Sequence, residues 1–207
     1  MRPEPKRISI LVLAAGSGRR FGGAKLAAEL ASQPVIRHVV RTALESPADE
    51  VAVVVGAHEL EVRQSLAGLP VTFVHNPQHL AGIGTSIAAG VRAVADRADG
   101  VLIMLGDQPT VEASTVARIC AAFRAGDAEI IAPEYGGVRG PPVLFAARHY
   151  AELESLGSDE GARSVLNRNS DSVEWLRIDA AYPSDVDTPI DLDRLRQAGG
   201  SGAAGEG

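Results

Sequence analysis

The stretch that most constrains this chain runs from Ile8 to Lys25, where an apolar segment ends in a glycine-rich, cationic loop. Residues 8–15 are apolar except for Ser9, a pattern typical of a strand buried on both faces. Residues 16–25 contain four glycines and three basic side chains. Because glycines bring backbone N–H groups close to a ligand and basic side chains add charge, this loop predicts a phosphate-binding site. The alternative, a tight turn with solvated arginines, requires neither so many glycines nor so many cations.

Two familiar phosphate-binding patterns do not fit this loop. A P-loop ends in Gly-Lys-Ser/Thr, whereas Lys25 follows an alanine and precedes a leucine. The dinucleotide fingerprint is G-x-G-x-x-G, whereas Gly16, Gly18 and Gly22 are spaced G-x-G-x-x-x-G. The pattern that is present, L-A-A-G-x-x-x-R-x-G-x-x-K, resembles the signature loop of sugar-phosphate and cofactor nucleotidyltransferases.

Composition excludes several classes of protein. The 207 residues carry a formal net charge of −6, which argues against a nucleic-acid binder because phosphate backbones attract basic surfaces. The single cysteine, Cys120, allows no internal disulfide, and its apolar surroundings predict a buried structural thiol in a cytoplasmic protein. No apolar run approaches the about 18 residues of a membrane span, and the apolar stretch after residues 1–7 predicts a first strand rather than a signal peptide.

Beyond the loop, the chain alternates strand-like and helix-like patterns. The predicted strands are 51–57, 71–76, 101–107 and 129–133, and the predicted helices are 34–46, 58–69, 85–98 and 111–124. This alternation predicts a single-domain, Rossmann-like α/β fold with a mostly parallel sheet and helices on both faces. The rhythm loosens in the second half, where we expect a smaller acceptor-side subregion. We expect the domain to cover residues 8–197 and the glycine-rich residues 198–207 to form a disordered tail.

Carboxylates follow a buried strand and recur near the end of the chain. Asp107 comes directly after the apolar run 101–105, so it should lie at the ligand edge of the sheet beside the glycine loop. It could pair with Lys25 or Arg20, cap a helix, or hold Mg²⁺, which prefers one or two carboxylates with phosphates and water. In the later segment PSDVDTPIDL, Asp191 is best interpreted as a helix cap. The pattern alone leaves cap and metal ligand equally open for Asp187.

Six motifs in order extend the resemblance over residues 8–197. They are LAAGSGRRFGGAK, GIGTS, LGDQP, GVRGPPVLF, SDEGAR and DVDTPIDL, and their order is similar to that in the molybdenum-cofactor cytidylyltransferase family, close kin of the guanylyltransferases of the same cofactor. The resemblance implies that Asp107 and Asp187 hold Mg²⁺ and that Arg20 and Lys25 contact the triphosphate, with Lys25, Arg20 and Asp107 in the catalytic role. The further binding residues that it implies are Ala14, Ala15, Gly16, Gly18, Arg19, Gly82, Thr85, Ser86 and, on the acceptor side, Arg139.

Some positions depart from the family pattern. Gly18 stands where a serine is usual, which removes a hydroxyl donor but keeps a backbone N–H. On the acceptor side, Ser158 replaces the first glycine of the usual Gly-Asp-x-Gly-Ala-Arg motif, and Pro141 replaces a usual histidine. The segment around Arg139 predicts a rigid flap with one anion contact, and residues 158–168 predict a helix capped by Ser158 or Asp159. A plain surface loop and helix would explain both segments equally well.

The favoured hypothesis is a Mg²⁺-dependent transfer of CMP from CTP to the terminal phosphate of molybdopterin, with a molybdoenzyme as a further partner. Ala14, Ala15 and Gln108 resemble the cytidylyl branch, since the guanylyl branch tends to LAGG and LGDMP, so we expect CTP to be preferred over GTP. One alternative is a related transferase that uses GTP or another phosphorylated acceptor. The other is a non-catalytic carrier or chaperone of the cofactor on the same fold.

Overall fold

The computed structural model describes residues 4–201 and has an eight-stranded sheet at its centre. The strand order is β10 (Val173–Ile178), β7 (Ile130–Tyr135), β9 (Val143–Ala146), β6 (Gly100–Leu105), β1 (Ile8–Ala14), β4 (Glu50–Val55) and β5 (Thr72–His75). The eighth strand, β8 (Val138–Arg139), pairs with β7 off this path. Strand β1 lies between β4 and β6 and is parallel to both, whereas β9 is antiparallel to its two neighbours. The predicted α/β fold with a mostly parallel sheet is therefore confirmed.

The strands are two to seven residues long, and those in the middle of the sheet consist mainly of buried apolar residues. Their bounds are β1 Ile8–Ala14, β2 Glu29–Leu30, β3 Gln33–Pro34, β4 Glu50–Val55, β5 Thr72–His75, β6 Gly100–Leu105, β7 Ile130–Tyr135, β8 Val138–Arg139, β9 Val143–Ala146 and β10 Val173–Ile178. Strands β2 and β3 form a separate two-stranded ribbon. The four strands predicted after β1 correspond to β4, β5, β6 and β7, and all four are confirmed.

Helices cover both faces of the sheet. Their bounds are α1 Val35–Leu44, α2 Glu59–Ser65, α3 Ile83–Val94, α4 Ala113–Ala125, α5 Tyr150–Glu154, α6 Ala162–Arg168 and α7 Pro189–Ser201. The four predicted helices correspond to α1–α4. None of the helices among residues 4–201 is long and apolar enough to cross a membrane.

Two hydrophobic cores lie on opposite faces of β1 because side chains alternate along a strand. Ile10, Val12 and Ala14 pack into the core that α1 and α4 close. Leu11 and Leu13 pack into the core that α3 and α5 close. Cys120 of α4 is fully buried in the first core, and burial raises the pKa of its thiol to about 11, so it is a structural residue as predicted.

The second half departs from the predictions in several elements. Strands β8, β9 and β10 and helix α5 were not predicted. Strands β8 and β9 are only two and four residues long and lie in or directly after a glycine- and proline-rich segment. The predicted cap of α6 is wrong: Gly161 is the N-cap and no side chain caps the helix, since residues 157–160 close their own turn through Glu160.

The last helix begins with the predicted cap. The Asp191 carboxylate accepts hydrogen bonds from the backbone and hydroxyl of Thr188 at 2.8 and 2.7 Å. Once started, a helix gains one hydrogen bond for each residue added, and α7 extends through Ser201, four residues into the predicted tail. Residues 202–207 of that tail lie outside the described part of the chain.

Candidate active site

The glycine loop turns back on itself directly after β1. The carbonyl of Gly18 accepts hydrogen bonds from the N–H groups of Phe21 and Gly22, both at 3.0 Å. Gly18 has a φ of +60°, and a Cβ at this position would lie 2.1 Å from the carbonyl oxygen of Gly23. Only glycine fits there, because any side chain would collide with backbone. This compact turn returns the chain to the sheet edge at Lys25.

A second glycine brings Asp107 to the same place. Gly106 follows β6, and its N–H donates to the carbonyl of Leu13 at the end of β1, at 3.0 Å. A Cβ on Gly106 would lie 2.8 Å from that oxygen. The close approach therefore needs glycine, and it places Asp107 next to the loop, as the adjacency of the two strand ends predicts.

Lys25 joins two carboxylates that are 80 residues apart in the chain. Its Nζ lies 2.6 Å from Oδ2 of Asp107 and 3.1 Å from Oδ1 of Asp187. The carbonyl of Asp107 accepts the N–H of Val186 at 2.9 Å, which fixes the second segment beside the first. Arg20 contacts the other oxygen of Asp187 at 3.0 Å. Of the sequence interpretations for Asp107, pairing with Lys25 is therefore present, and Arg20 pairs with Asp187.

The burial of these groups differs. The Lys25 side chain is 14% exposed, whereas that of Arg20 is 74% exposed. Burial lowers the pKa of Lys25, but the attraction of Asp107 and Asp187 outweighs it, so the pKa lies above its ordinary value. Lys25 is thus a fully charged ammonium group in a half-enclosed site, where Coulomb interactions are stronger than in water.

A third carboxylate, that of Asp185, lies close enough to Asp107 and Asp187 to feel their charges. Asp185 accepts a hydrogen bond from Nε2 of Gln108 at 2.8 Å. Burial raises the pKa of Asp185, and the like charges of Asp107 and Asp187 add to this effect. Gln108 is buried and does not line the cavity described next. Its structural role is to hold the segment that carries Asp187.

A cavity of about 430 Å³, here called the charged cavity, opens over Lys25 and the two carboxylates. Ten of the residues predicted for the site line it: Ala15, Gly16, Gly18, Arg19, Arg20, Lys25, Gly82, Ser86, Asp107 and Asp187. Ser17, His79, Leu80 and Ile83 line it as well and were missed. Ser17 lies inside the predicted loop and Ile83 inside the GIGTS motif, whereas His79 and Leu80 precede that motif and carry no distinctive pattern.

Three predicted residues do not line the charged cavity. Ala14 points into the core on the opposite face from Ala15, because successive strand residues alternate. Thr85 donates to the carbonyl of Gly82 at 2.8 Å and accepts from Asn76 at 2.9 Å, so it shapes the start of α3. Arg139 lines a different cavity.

That second space, here called the aromatic cavity, has a volume of about 440 Å³. The guanidinium of Arg139 stacks on the ring of Trp175 at 4.1 Å. Tyr182 packs edge-on against Tyr135, with ring centroids 5.6 Å apart, and closes one side. Arg163 of α6 also lines this cavity. Sequence reasoning placed Arg139 and Arg163 on the acceptor side but missed both aromatic residues of the lining, since lone aromatics resemble ordinary core residues.

The two cavities meet at the ligand edge of the sheet. Leu13 of β1, Leu105 of β6 and Ile83 of α3 line both. Two molecules bound in these spaces would therefore face each other close to Lys25 and Asp107.

The two carboxylates fit a divalent cation by their placement. Asp107 and Asp187 each have an oxygen within 3.1 Å of one atom, Lys25 Nζ, so both can reach one small cation. In residues 4–201, no group of three or more His, Cys, Asp or Glu side chains is arranged to hold a metal. Mg²⁺ suits such a pair, since it is usually bound by one or two carboxylates and completed by substrate phosphates and water.

Comparison with known proteins places this geometry in a family. The model of the MobA-like NTP transferase domain matches residues 10–173. The chain belongs to the MobA-like NTP transferase family. It is therefore a nucleotidyltransferase, and the predicted resemblance is confirmed at this level. Nucleotidyltransferases of this kind generally act with a divalent metal.

Similar proteins in this family bear diverse names. The purine catabolism protein PucB of Bacillus subtilis is 30% identical over 201 residues, covering 90% of this chain and 94% of PucB. The nicotine blue oxidoreductase of Paenarthrobacter nicotinovorans is 30% identical over 196 residues, covering 90% and 92%. The structure of Rv0371c from Mycobacterium tuberculosis matches with a TM-score of 0.84 at 28% identity, covering 93% of this chain and 99% of that one. Rv0371c has also been determined in complex with manganese.

Proposed function

We propose that this protein transfers CMP from CTP to the terminal phosphate of molybdopterin, in the presence of Mg²⁺, and releases pyrophosphate. The observation that carries the proposal is the pair of adjoining cavities. One cavity is lined by cations and two carboxylates, and the other by aromatic rings and two arginines. A triphosphate suits the first, and a flat, phosphorylated heterocycle suits the second.

The charged cavity supplies electrostatic stabilisation. In the reaction, an oxygen of the acceptor phosphate forms a bond to the α-phosphorus of CTP, and the bond from that phosphorus to the bridging oxygen of pyrophosphate breaks. A phosphate monoester has its second pKa near ~6, so the acceptor is largely a dianion at neutral pH and needs no general base. Lys25 and Arg20 would neutralise charge that builds up on the transferring phosphate.

Asp107 and Asp187 would hold the divalent cation. When bound, the cation would neutralise phosphate oxygens and help pyrophosphate to leave. Backbone N–H groups of residues 16–20 would contribute further donors to the triphosphate, because these residues of the glycine loop line the charged cavity.

The aromatic cavity supplies recognition of the acceptor. Trp175 and Tyr182 offer ring surfaces against which a planar heterocycle can pack. Aromatic rings pair favourably in an offset or edge-on geometry. Arg139 and Arg163 offer charge for the acceptor phosphate. The two cavities meet at Leu13 and Leu105, which line both, so the acceptor phosphate would approach the α-phosphate of CTP there.

The base preference rests on fewer contacts. Ala15 lines the charged cavity, whereas Ala14 and Gln108 do not. Any influence of Gln108 on the choice of base would therefore be indirect, through Asp185 and the segment that carries Asp187. The preference for CTP rests on the sequence resemblance and on Ala15.

Pyrophosphate release measured with CTP, GTP, ATP and UTP, with and without molybdopterin, tests the proposal. We expect turnover with CTP only when molybdopterin is present. Turnover with GTP instead would place the protein in the guanylyl branch. Binding of molybdopterin without turnover for any nucleotide would favour the carrier hypothesis.

A further inference from the structure

Lys25 lies at the position that the proposed function gives to a divalent cation. Its Nζ is the atom that Asp107 and Asp187 share, at 2.6 and 3.1 Å. We propose that Lys25 is a resident counterion of these two carboxylates, which keeps free divalent cations out until a nucleoside triphosphate draws its ammonium group away. The inference rests on the proposed function for the assignment of the two carboxylates as metal ligands.

The first argument is competition for the same oxygens. Each carboxylate presents one oxygen to Lys25, and Asp187 presents its other oxygen to Arg20 at 3.0 Å. A free cation arriving at this pair would have to break contacts with an ammonium group that is only 14% exposed. Breaking a partly buried ion pair is costly unless the released charge finds a new partner. With water alone to receive it, Lys25 would stay in place.

The second argument is that the side chain can move while the carboxylates and the loop backbone stay fixed. Asp107 is anchored by the bond from Val186 to its carbonyl, and by the close approach of Gly106 to β1. Residues Lys25–Ala27 form a 3₁₀ turn whose Leu26 is buried in the core. The ammonium group of Lys25 is carried on a flexible four-carbon stem. Exchange therefore requires a rotation of the side chain and no opening of the loop.

The third argument is that a triphosphate offers the new partner. Lys25 lines the charged cavity together with Arg19 and Arg20. Phosphate oxygens bound there would attract its ammonium group with more negative charge than the two carboxylates present, and the cation brought with them would take over the vacated oxygens. Cation and nucleotide would then enter as a unit. After pyrophosphate leaves, the return of Lys25 would displace the cation.

The proposal is tested by titrating Mn²⁺ into the nucleotide-free protein and measuring the free ion by electron paramagnetic resonance. We expect Lys25→Met and Lys25→Gln each to bind Mn²⁺ at least ~10-fold more tightly than the unmodified protein, about 1.4 kcal/mol. Arg20→Met is the matched control: it removes a cation that is 74% exposed and contacts one carboxylate. Its affinity should rise less than ~3-fold, because exposed ion pairs contribute little.

A conservative variant and a second measurement guard against loss of folding. Lys25→Gln retains hydrogen-bond donors for both carboxylates and removes only the charge. Thermal melting provides a second readout, since an ion that binds only the folded state raises the melting temperature. Mn²⁺ should raise it more for either Lys25 variant than for the unmodified protein. Equal or weaker Mn²⁺ affinity in both variants would overturn the proposal.

One further pair of measurements separates this inference from the proposed function. Adding Asp107→Asn to Lys25→Gln should abolish the gained affinity, which locates the ion at the carboxylates. The unmodified protein should bind Mn²⁺ with a non-hydrolysable CTP analogue beyond the amount that the analogue binds alone. If it does, and the Lys25 variants gain nothing, only the counterion proposal fails. If it does not, and the variants also gain nothing, the assignment of the metal site itself fails.

Discussion

The charged and aromatic cavities are nearly equal in volume, about 430 and 440 Å³, yet they are built in different ways. The main part of the charged cavity is one continuous loop after β1, and the end of β6, the segment 79–86 and Asp187 complete it. The aromatic cavity collects residues from β8, α6, β10 and the segment around Tyr182. A continuous loop can hold charges at fixed positions for chemistry, whereas scattered side chains can be exchanged to recognise another acceptor.

The cations of the two cavities show the same contrast. Lys25 is 14% exposed and held by two carboxylates, whereas the side chain of Arg139 is 58% exposed and lies on the ring of Trp175 with Glu134 at 3.4 Å. A charge that is fixed by partners and shielded from water acts strongly on a bound phosphate, whereas exposed charges contribute modestly. We therefore expect changes in the charged cavity to reduce kcat strongly, and changes in the aromatic cavity to raise the acceptor KM moderately.

The largest effect is expected for Asp107→Asn. The substitution keeps the shape of the side chain and removes the charge that would hold the cation. Turnover should fall by at least ~100-fold, as when one electrostatic stabiliser is lost from an active site. The melting temperature should change little, because Lys25 retains Asp187 as a partner. Steady-state pyrophosphate release and thermal melting measure the two effects.

Asp191→Ala is the control for this prediction. Asp191 caps α7 through Thr188 and does not line the charged cavity. Its loss should lower the melting temperature and leave kcat unchanged. Near-normal turnover of Asp107→Asn at saturating Mg²⁺ would remove Asp107 from the metal site.

The next effect is expected for Lys25→Ala, which should reduce kcat by at least ~10-fold and more than it weakens CTP binding. The reason is that a charge aimed at the transferring phosphate contributes most when negative charge builds up. Calorimetry of CTP binding and pyrophosphate release, measured in parallel, separate the two quantities. Arg41→Ala, which removes an exposed cation on α1, is the control and should change neither. A raised KM with unaltered kcat would argue against a transition-state role for Lys25.

Exchanging CTP for GTP should reduce kcat/KM by a similar or smaller factor than Lys25→Ala reduces kcat. We expect kcat/KM for CTP to exceed that for GTP by at least ~10-fold, about 1.4 kcal/mol. Gln108→Met tests whether the residue after Asp107 sets this ratio. Since Gln108 is buried and does not line the charged cavity, the ratio should stay within about 2-fold, a change of roughly 0.4 kcal/mol. A reversal of the preference in this variant would show that Gln108 sets the choice of base despite its buried position.

The sequence predicts the charged cavity better than the aromatic one, and the reason is physical. The loop needs glycine at position 18 for its positive φ and close backbone contact, and glycine at position 106 where β6 meets β1. These backbone constraints can therefore be recognised in the sequence as glycines. Buried parallel strands such as β4 read as continuous apolar runs. These signals are local, and they suffice to place Asp107 beside Lys25.

No comparable local pattern in the sequence indicates the aromatic cavity. Trp175 lies on the edge strand β10, which has polar residues among its apolar ones, and it becomes part of the cavity wall because that strand pairs with β7. Strand β9 is inserted antiparallel between β6 and β7, which no alternation of strands and helices predicts. The pairing of distant strands decides which side chains meet, and sequence patterns report only the tendency of each segment.

A moderate effect on a single substrate is expected for Trp175→Leu, and this variant separates the cavities most directly. Leucine keeps an apolar wall but removes the ring that Arg139 covers at 4.1 Å. We expect the acceptor KM to rise about 5-fold, roughly 1 kcal/mol, with the CTP KM and kcat unchanged, because a ring contact is worth about this much. Phe73→Leu is the matched control, since Phe73 carries Arg63 at 4.3 Å on the edge strand β5 and lines neither cavity. Initial rates with each substrate varied in turn distinguish the outcomes. An unchanged acceptor KM in Trp175→Leu would show that the ring supports the fold only, and an equal rise for CTP would mean that the two cavities do not bind separate molecules.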